Sequence, residues 1–131
     1  MFAFVIKDTL TNELKQKNSI SAFFNIKTTM GWGNGYVALA HNHKLYGKDY
    51  MDIEDELNCN IHGGLTYSAE MTGNQILNKG ILISDASINR NATYWVIGFD
   101  TKHYGDTLKT CSREYVIQES LKLLKMLKEI K

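Results

Sequence analysis

Proline is absent from this chain of 131 residues, although average usage is about 5%. Its turns therefore depend on ten glycines and on many asparagines, residues that tolerate the left-handed backbone turns require. With the Lys, Asn and Ile usage, the absence suggests an AT-rich genome. Long apolar runs are missing as well, none approaching the roughly 18 residues of a membrane span. The opening MFAFVIKD lacks the basic start and small-residue cleavage site of a secretory signal. It reads as a first β-strand, and the expected location is the cytoplasm of the producing or host cell. Cysteine is scarce: Cys59 and Cys111 stand apart without CxxC spacing, which reads as two buried thiols outside any oxidising compartment. Without a secretion signal, the sequon Asn91-Ala92-Thr93 carries no weight. Charge of one sign is also lacking. Fifteen basic and 14 acidic residues leave a net charge of +1, so no global field exists to hold a nucleic-acid backbone.

What is present suits one soluble domain over residues 1–131, long enough to bury a core without staples. Strand patterns are predicted at 2–8, 20–27, 36–40, 60–68, 80–85 and 93–100, the last strongly apolar. Residues 9–19 are polar and read as a short helix or a loop. The glycine-dense stretch at 31–35 reads as a turn or a close-approach loop. From His41 to Glu56 the periodicity dissolves into a long loop with one helical turn at YMDIEDEL, and loops of that length are usually functional. The tail differs. Val116, Ile117, Ser120, Leu121, Leu124 and Leu127 follow the spacing of an amphipathic helix, with Thr110 or Ser112 as N-cap. The expected fold is α+β, a mostly antiparallel sheet of about five or six strands packed against this C-terminal helix.

All four histidines fall in three polar segments, HNHKLYGKDY (41–50), HGGLTYS (62–68) and GFDTKHYGD (98–106). These are expected to converge into one polar site. His41-x-His43 with Asp100 and His103 forms a candidate metal set, but HxH alone is a weak signal, and neither metal nor cofactor is assigned. Acid–base chemistry is a second reading, with His62 or His103 held by Asp100 or Asp106. A third is ligand binding. Gly63 and Gly64 would bare the backbone beside His62, Tyr46, Tyr67 or Tyr104 would offer faces for a base, and Lys44, Lys48, Lys102 and Arg113 would face phosphates. His43, Thr66, Asp100, His103 and Asp106 complete the expected polar contacts.

These segments in order, GYVA, H-x-LYGK-x-Y, HGGLTYS and GFD-x-x-H-x-GD, over roughly residues 30–120, resemble a widespread family of small phage and prophage proteins. The family usually carries a proline around residues 42–44, where this chain has none, a departure that touches only the local turn. The resemblance implies a phage protein that counters host defence by sequestering a small nucleotide-derived signal, such as a cyclic dinucleotide or an ADP-ribose derivative. It also implies a homo-oligomer. Two alternatives stay open: a hydrolase or phosphodiesterase using the same His/Asp cluster, and an oligomeric interaction protein without a small ligand. Membrane and duplex nucleic acid are not expected partners.

Overall fold

The computed structural model describes residues 1–8, 30–58 and 60–130. The helix or loop expected at 9–19, the strand expected at 20–27 and Cys59 lie outside the described residues. Among these residues the chain forms β1 (Phe2–Lys7), β2 (Gly33–Leu39), α1 (Tyr50–Leu57), β3 (Tyr67–Thr72), α2 (Gly73–Lys79), β4 (Ile81–Leu82), β5 (Thr93–Phe99) and α3 (Arg113–Lys128). The strands build one antiparallel sheet in the order β3-β5-β2-β1-β4. The α+β class and the terminal helix are as the sequence predicts.

The central strands β1, β2 and β5 bury both faces, which explains why β1 and β5 read as nearly continuous apolar runs. Ala3, Val5, Val37, Leu39, Ile97 and Phe99 form one face and pack under Val116, Leu123, Leu124 and Leu127 of α3. Phe2, Phe4, Ala38 and Val96 form the other, with Ile76 of α2 among them. Each of the larger side chains among them contributes about 1.5–3 kcal/mol on burial. Ser112 caps α3, its hydroxyl accepting the Tyr115 amide at 3.3 Å. Lys125 and Lys128 lie in the last turn, where cations suit the helix dipole.

Several expected boundaries move. The stretch at 60–68 is not a strand: residues 62–63 turn, and β3 begins only at Tyr67. Its alternating pattern was misleading because Gly63 and Gly64 take φ of +66° and +82°, angles no strand contains. At 80–85 only Ile81 and Leu82 pair, against Val5 and Phe4 of β1. The close-approach reading of 31–35 holds locally: a side chain on Gly33 would meet the Ile6 carbonyl, and one on Gly35 would meet Ser120 and Phe99. Both glycines nevertheless belong to β2. Helix α1 is two turns long, closed by Asn58 in the left-handed region at φ 49°. Helix α2 was not anticipated, although Thr72 and Gln75 form a reciprocal capping box at 2.9 and 3.2 Å. No helix of the described residues is long and apolar enough to cross a membrane.

Candidate functional site

Asp106 is the hub of the polar centre. It sits in a turn after β5, where Gly105 at φ +90° permits the reversal, and it is only 6% exposed. One carboxylate oxygen accepts from His62 Nε2 at 2.9 Å. The other accepts the His103 amide at 2.9 Å and His103 Nδ1 at 3.1 Å. Burial alone would raise this carboxyl's pKa, but the hydrogen bonds from His62 and His103 outweigh it and hold the pKa below the ordinary carboxylate value.

His62 is held on three sides. Its amide donates to Glu119 Oε1 at 3.0 Å, its Nδ1 meets the Tyr115 hydroxyl at 2.8 Å, and Cys111 Sγ lies 3.6 Å from Nε2. With Asp106 as acceptor, the proton of the neutral ring sits on Nε2 and Tyr115 donates to Nδ1. Tyr115 and Glu119 stand one turn apart on α3, so the helix that closes the core also braces this histidine. Burial pushes the Cys111 thiol upward in pKa, and the charge of Asp106 adds to it. That keeps the thiol protonated and argues against a nucleophilic cysteine, which needs a depressed pKa. Tyr115 is likewise raised, first by burial and then by the charge of Glu119.

The two glycines beside His62 now have a physical account. Both backbones are left-handed, a conformation costing other residues about 1–2 kcal/mol. The space a Gly63 side chain would need is filled by the His103 ring, and a Cβ on Gly64 would come within 2.6 Å of Glu54 Oε1. The glycines thus admit protein neighbours, where the sequence suggested an approaching ligand.

A second feature lies beyond Asp100. A cleft of about 210 Å³ is lined by Tyr36, Thr66, Tyr67, Asp100 and Lys102, with Asn34 and Phe99 completing it. Gly98 pairs with both Tyr36 and Tyr67 across the sheet. A Cβ on Gly98 would strike the Tyr36 ring, so its absence lets that ring lie across the strand. Tyr36 stacks on Phe4 at 5.1 Å and meets Tyr67 edge-on at 5.5 Å. Burial raises the Tyr36 pKa. Asp100 links cleft and hub, its Oδ1 lying 3.6 Å from His103 Nδ1 and also accepting the Lys102 amide at 3.0 Å. Lys102 reaches Asp8 at 3.4 Å.

Convergence is therefore partial. HGGLTYS and GFDTKHYGD meet, bringing together His62, Gly63, Asp100, His103 and Asp106. Thr66 and Tyr67 line the adjoining cleft, while Tyr104 is fully exposed. The segment at 41–50 goes elsewhere. His43 Nε2 donates to the Leu127 carbonyl at 3.0 Å, and its Nδ1 accepts the Leu45 amide at 3.0 Å. His41 stacks on Tyr46 at 4.2 Å and reaches Thr93 at 2.8 Å. Tyr46 bonds Glu70 at 3.2 Å, and the Lys48 carbonyl accepts from Trp95 at 2.7 Å. The metal set of His41, His43, Asp100 and His103 is not assembled, because each of the first two rings has its own partner.

Sequence reasoning missed Tyr115 and Glu119 as site residues and read Cys111 only as a buried thiol, which it is. A polar pair at i, i+4 beside the apolar stripe of α3 was the available signal. No family model, curated protein or solved structure matches the chain.

Proposed function

We propose that this protein sequesters a small nucleotide-derived molecule, seated in the cleft beside Asp100. The cleft carries the reading, because it joins aromatic faces, a cation and a carboxylate next to the histidine hub. Tyr67 offers its exposed ring to a base, Lys102 faces phosphate, and Asp100 accepts from ribose hydroxyls, a role that carboxylates fill in other nucleotide sites. Magnitude narrows the ligand. A volume of about 210 Å³ falls below the roughly 300–1,000 Å³ of sites enclosing drug-sized molecules. One cleft suits a mononucleotide-sized portion, and a cyclic dinucleotide would be completed by a second copy of the chain. The expected phage origin, anti-defence role and homo-oligomer belong to the same reading.

A hydrolase is the second reading, favoured by one observation: Asp106 orients the His62 ring through Nε2 at 2.9 Å, and base action at Nδ1 would require the Tyr115 hydroxyl to move off that nitrogen.

One experiment separates them. Protein is mixed with cyclic dinucleotides and ADP-ribose derivatives, and each compound is followed by mass spectrometry before and after heat denaturation. A compound that leaves the free pool and returns intact supports sequestration, and Tyr67→Ala and Lys102→Ala should then each weaken retention about tenfold, the loss of roughly 1.4 kcal/mol. Conversion to product that stops in His62→Ala replaces sequestration with catalysis. If every compound stays free and intact, both fail for these ligands and an interaction protein becomes the leading reading.

A further inference from the structure

We propose that His62, Asp106 and Cys111 form a binding site for a divalent transition metal of the zinc type. Among the described residues these side chains bring an imidazole nitrogen, a carboxylate oxygen and a sulfur within 4.8 Å of one another. They arrive from three places: the turn before β3, the loop after β5 and the residue preceding the N-cap of α3. The hydrogen-bond network alone does not need the sulfur, since Asp106 already satisfies Nε2. Yet Cys111 Sγ faces that same nitrogen at 3.6 Å.

The donor types select the cation. One nitrogen, one sulfur and one oxygen suit zinc and its borderline-soft neighbours, whereas magnesium and calcium take sets of oxygens. Distances agree in scale. Bonds of about 2.0–2.3 Å to a tetrahedral centre place donors about 3.3–3.7 Å apart. The His62–Cys111 separation of 3.6 Å already fits. The His62–Asp106 contact of 2.9 Å must open by roughly half an ångström, as expected where a proton occupies the place of a metal.

The surroundings are already arranged for that exchange. His103 holds Asp106 Oδ2 through its amide and ring, leaving Oδ1 for the cation. The Cys111 amide donates to the Thr107 carbonyl at 2.8 Å, which holds the backbone that carries the thiol. Tyr115 serves both states of His62. Its hydroxyl donates to Nδ1 when Nε2 carries the proton, and accepts from Nδ1–H when Nε2 binds metal. Binding thus moves the ring proton from Nε2 to Nδ1 and releases the thiol proton to solvent. Three protein donors leave a fourth position, and the His62 side chain keeps 19% of its surface exposed.

Cobalt(II), a spectroscopic stand-in for zinc, tests the site in the full chain after chelator treatment. Wild-type protein should bind one equivalent and show a near-ultraviolet thiolate-to-cobalt charge-transfer band. That band should vanish in Cys111→Ser and persist in Cys59→Ser, while Tyr115→Phe should weaken affinity about 10–100-fold. Saturating cobalt without a thiolate band in the wild type overturns the proposal even if a variant fails to fold. So does a band that survives Cys111→Ser or disappears in Cys59→Ser.

Discussion

Two histidine-bearing regions look alike in sequence and behave differently in space. In HNHKLYGKDY each histidine finds a local or helix-end partner: His43 satisfies the Leu127 carbonyl in the last turn of α3, and His41 stacks on Tyr46. In HGGLTYS and GFDTKHYGD the two histidines share one buried carboxylate. The first arrangement docks a loop against a helix terminus, where the Leu127 carbonyl accepts from His43 as well as from the Ile130 amide. The second gathers titratable groups from segments 44 positions apart around one acid. Polar, histidine-rich sequence therefore does not by itself show which groups gather; here only the second region brings two histidines onto one buried carboxylate.

The sharpest way to break this contrast is to remove that partner. Asp106→Ala should cost about 2 kcal/mol in denaturant unfolding, because the partly buried donors of His62 and His103 lose their shared acceptor. A loss below about 1 kcal/mol would reduce the hub to an ordinary surface turn.

Glycine substitutions compare the regions directly. Gly47 lies in the first region at φ +82° with open space around its Cβ position, while Gly63 lies in the second at φ +66° against the His103 ring. Gly47→Ala should cost about 1 kcal/mol, the backbone penalty alone. Gly63→Ala should cost about 2–3 kcal/mol, since the ring must also move. Equal costs would show that His103 is not packed against Gly63 in solution.

His43→Ala should lose about 1–2 kcal/mol, its bond to the Leu127 carbonyl at the end of α3 and the one its ring accepts from the Leu45 amide. Compound retention and cobalt binding should stay unchanged. If either falls with His43→Ala, the two regions act as one site after all.

The smallest effect is in acid. Asp106 has a folded pKa below its ordinary 3.8, so its stabilising contribution is present above that value and is lost as pH falls through the lower folded value. An acid unfolding series should show Asp106→Asn less pH-sensitive than wild type below about pH 4. Equal slopes would mean that the carboxylate is not held by the two histidines.

Much of the frame was legible. Strands β1, β2 and β5 and helix α3 announced themselves because apolar burial repeats at fixed local spacings. The failures share a cause. His62-Gly63-Gly64 alternated like a strand, but left-handed glycines placed a turn there instead. GILISD carried a strand's composition, yet the strand pairing with β1 covers only Ile81 and Leu82, with one further bond from the Ile83 amide to the Ala3 carbonyl. Helix α2 depended on a capping box within a weakly periodic segment, and only the reciprocal Thr72–Gln75 bonds reveal it.

The sequence alone determined the α+β class, the apolar strands and the helix that covers them, because period and composition act over a few neighbouring residues. It also marked His62, Asp100, His103 and Asp106 as worth attention. Only the tertiary structure decided that His43 belongs to a helix end, and that Tyr115, Glu119 and Cys111 belong with His62. Those pairings join residues 49 to 84 positions apart. The order of strands in the sheet brings them together, and no local periodicity records it.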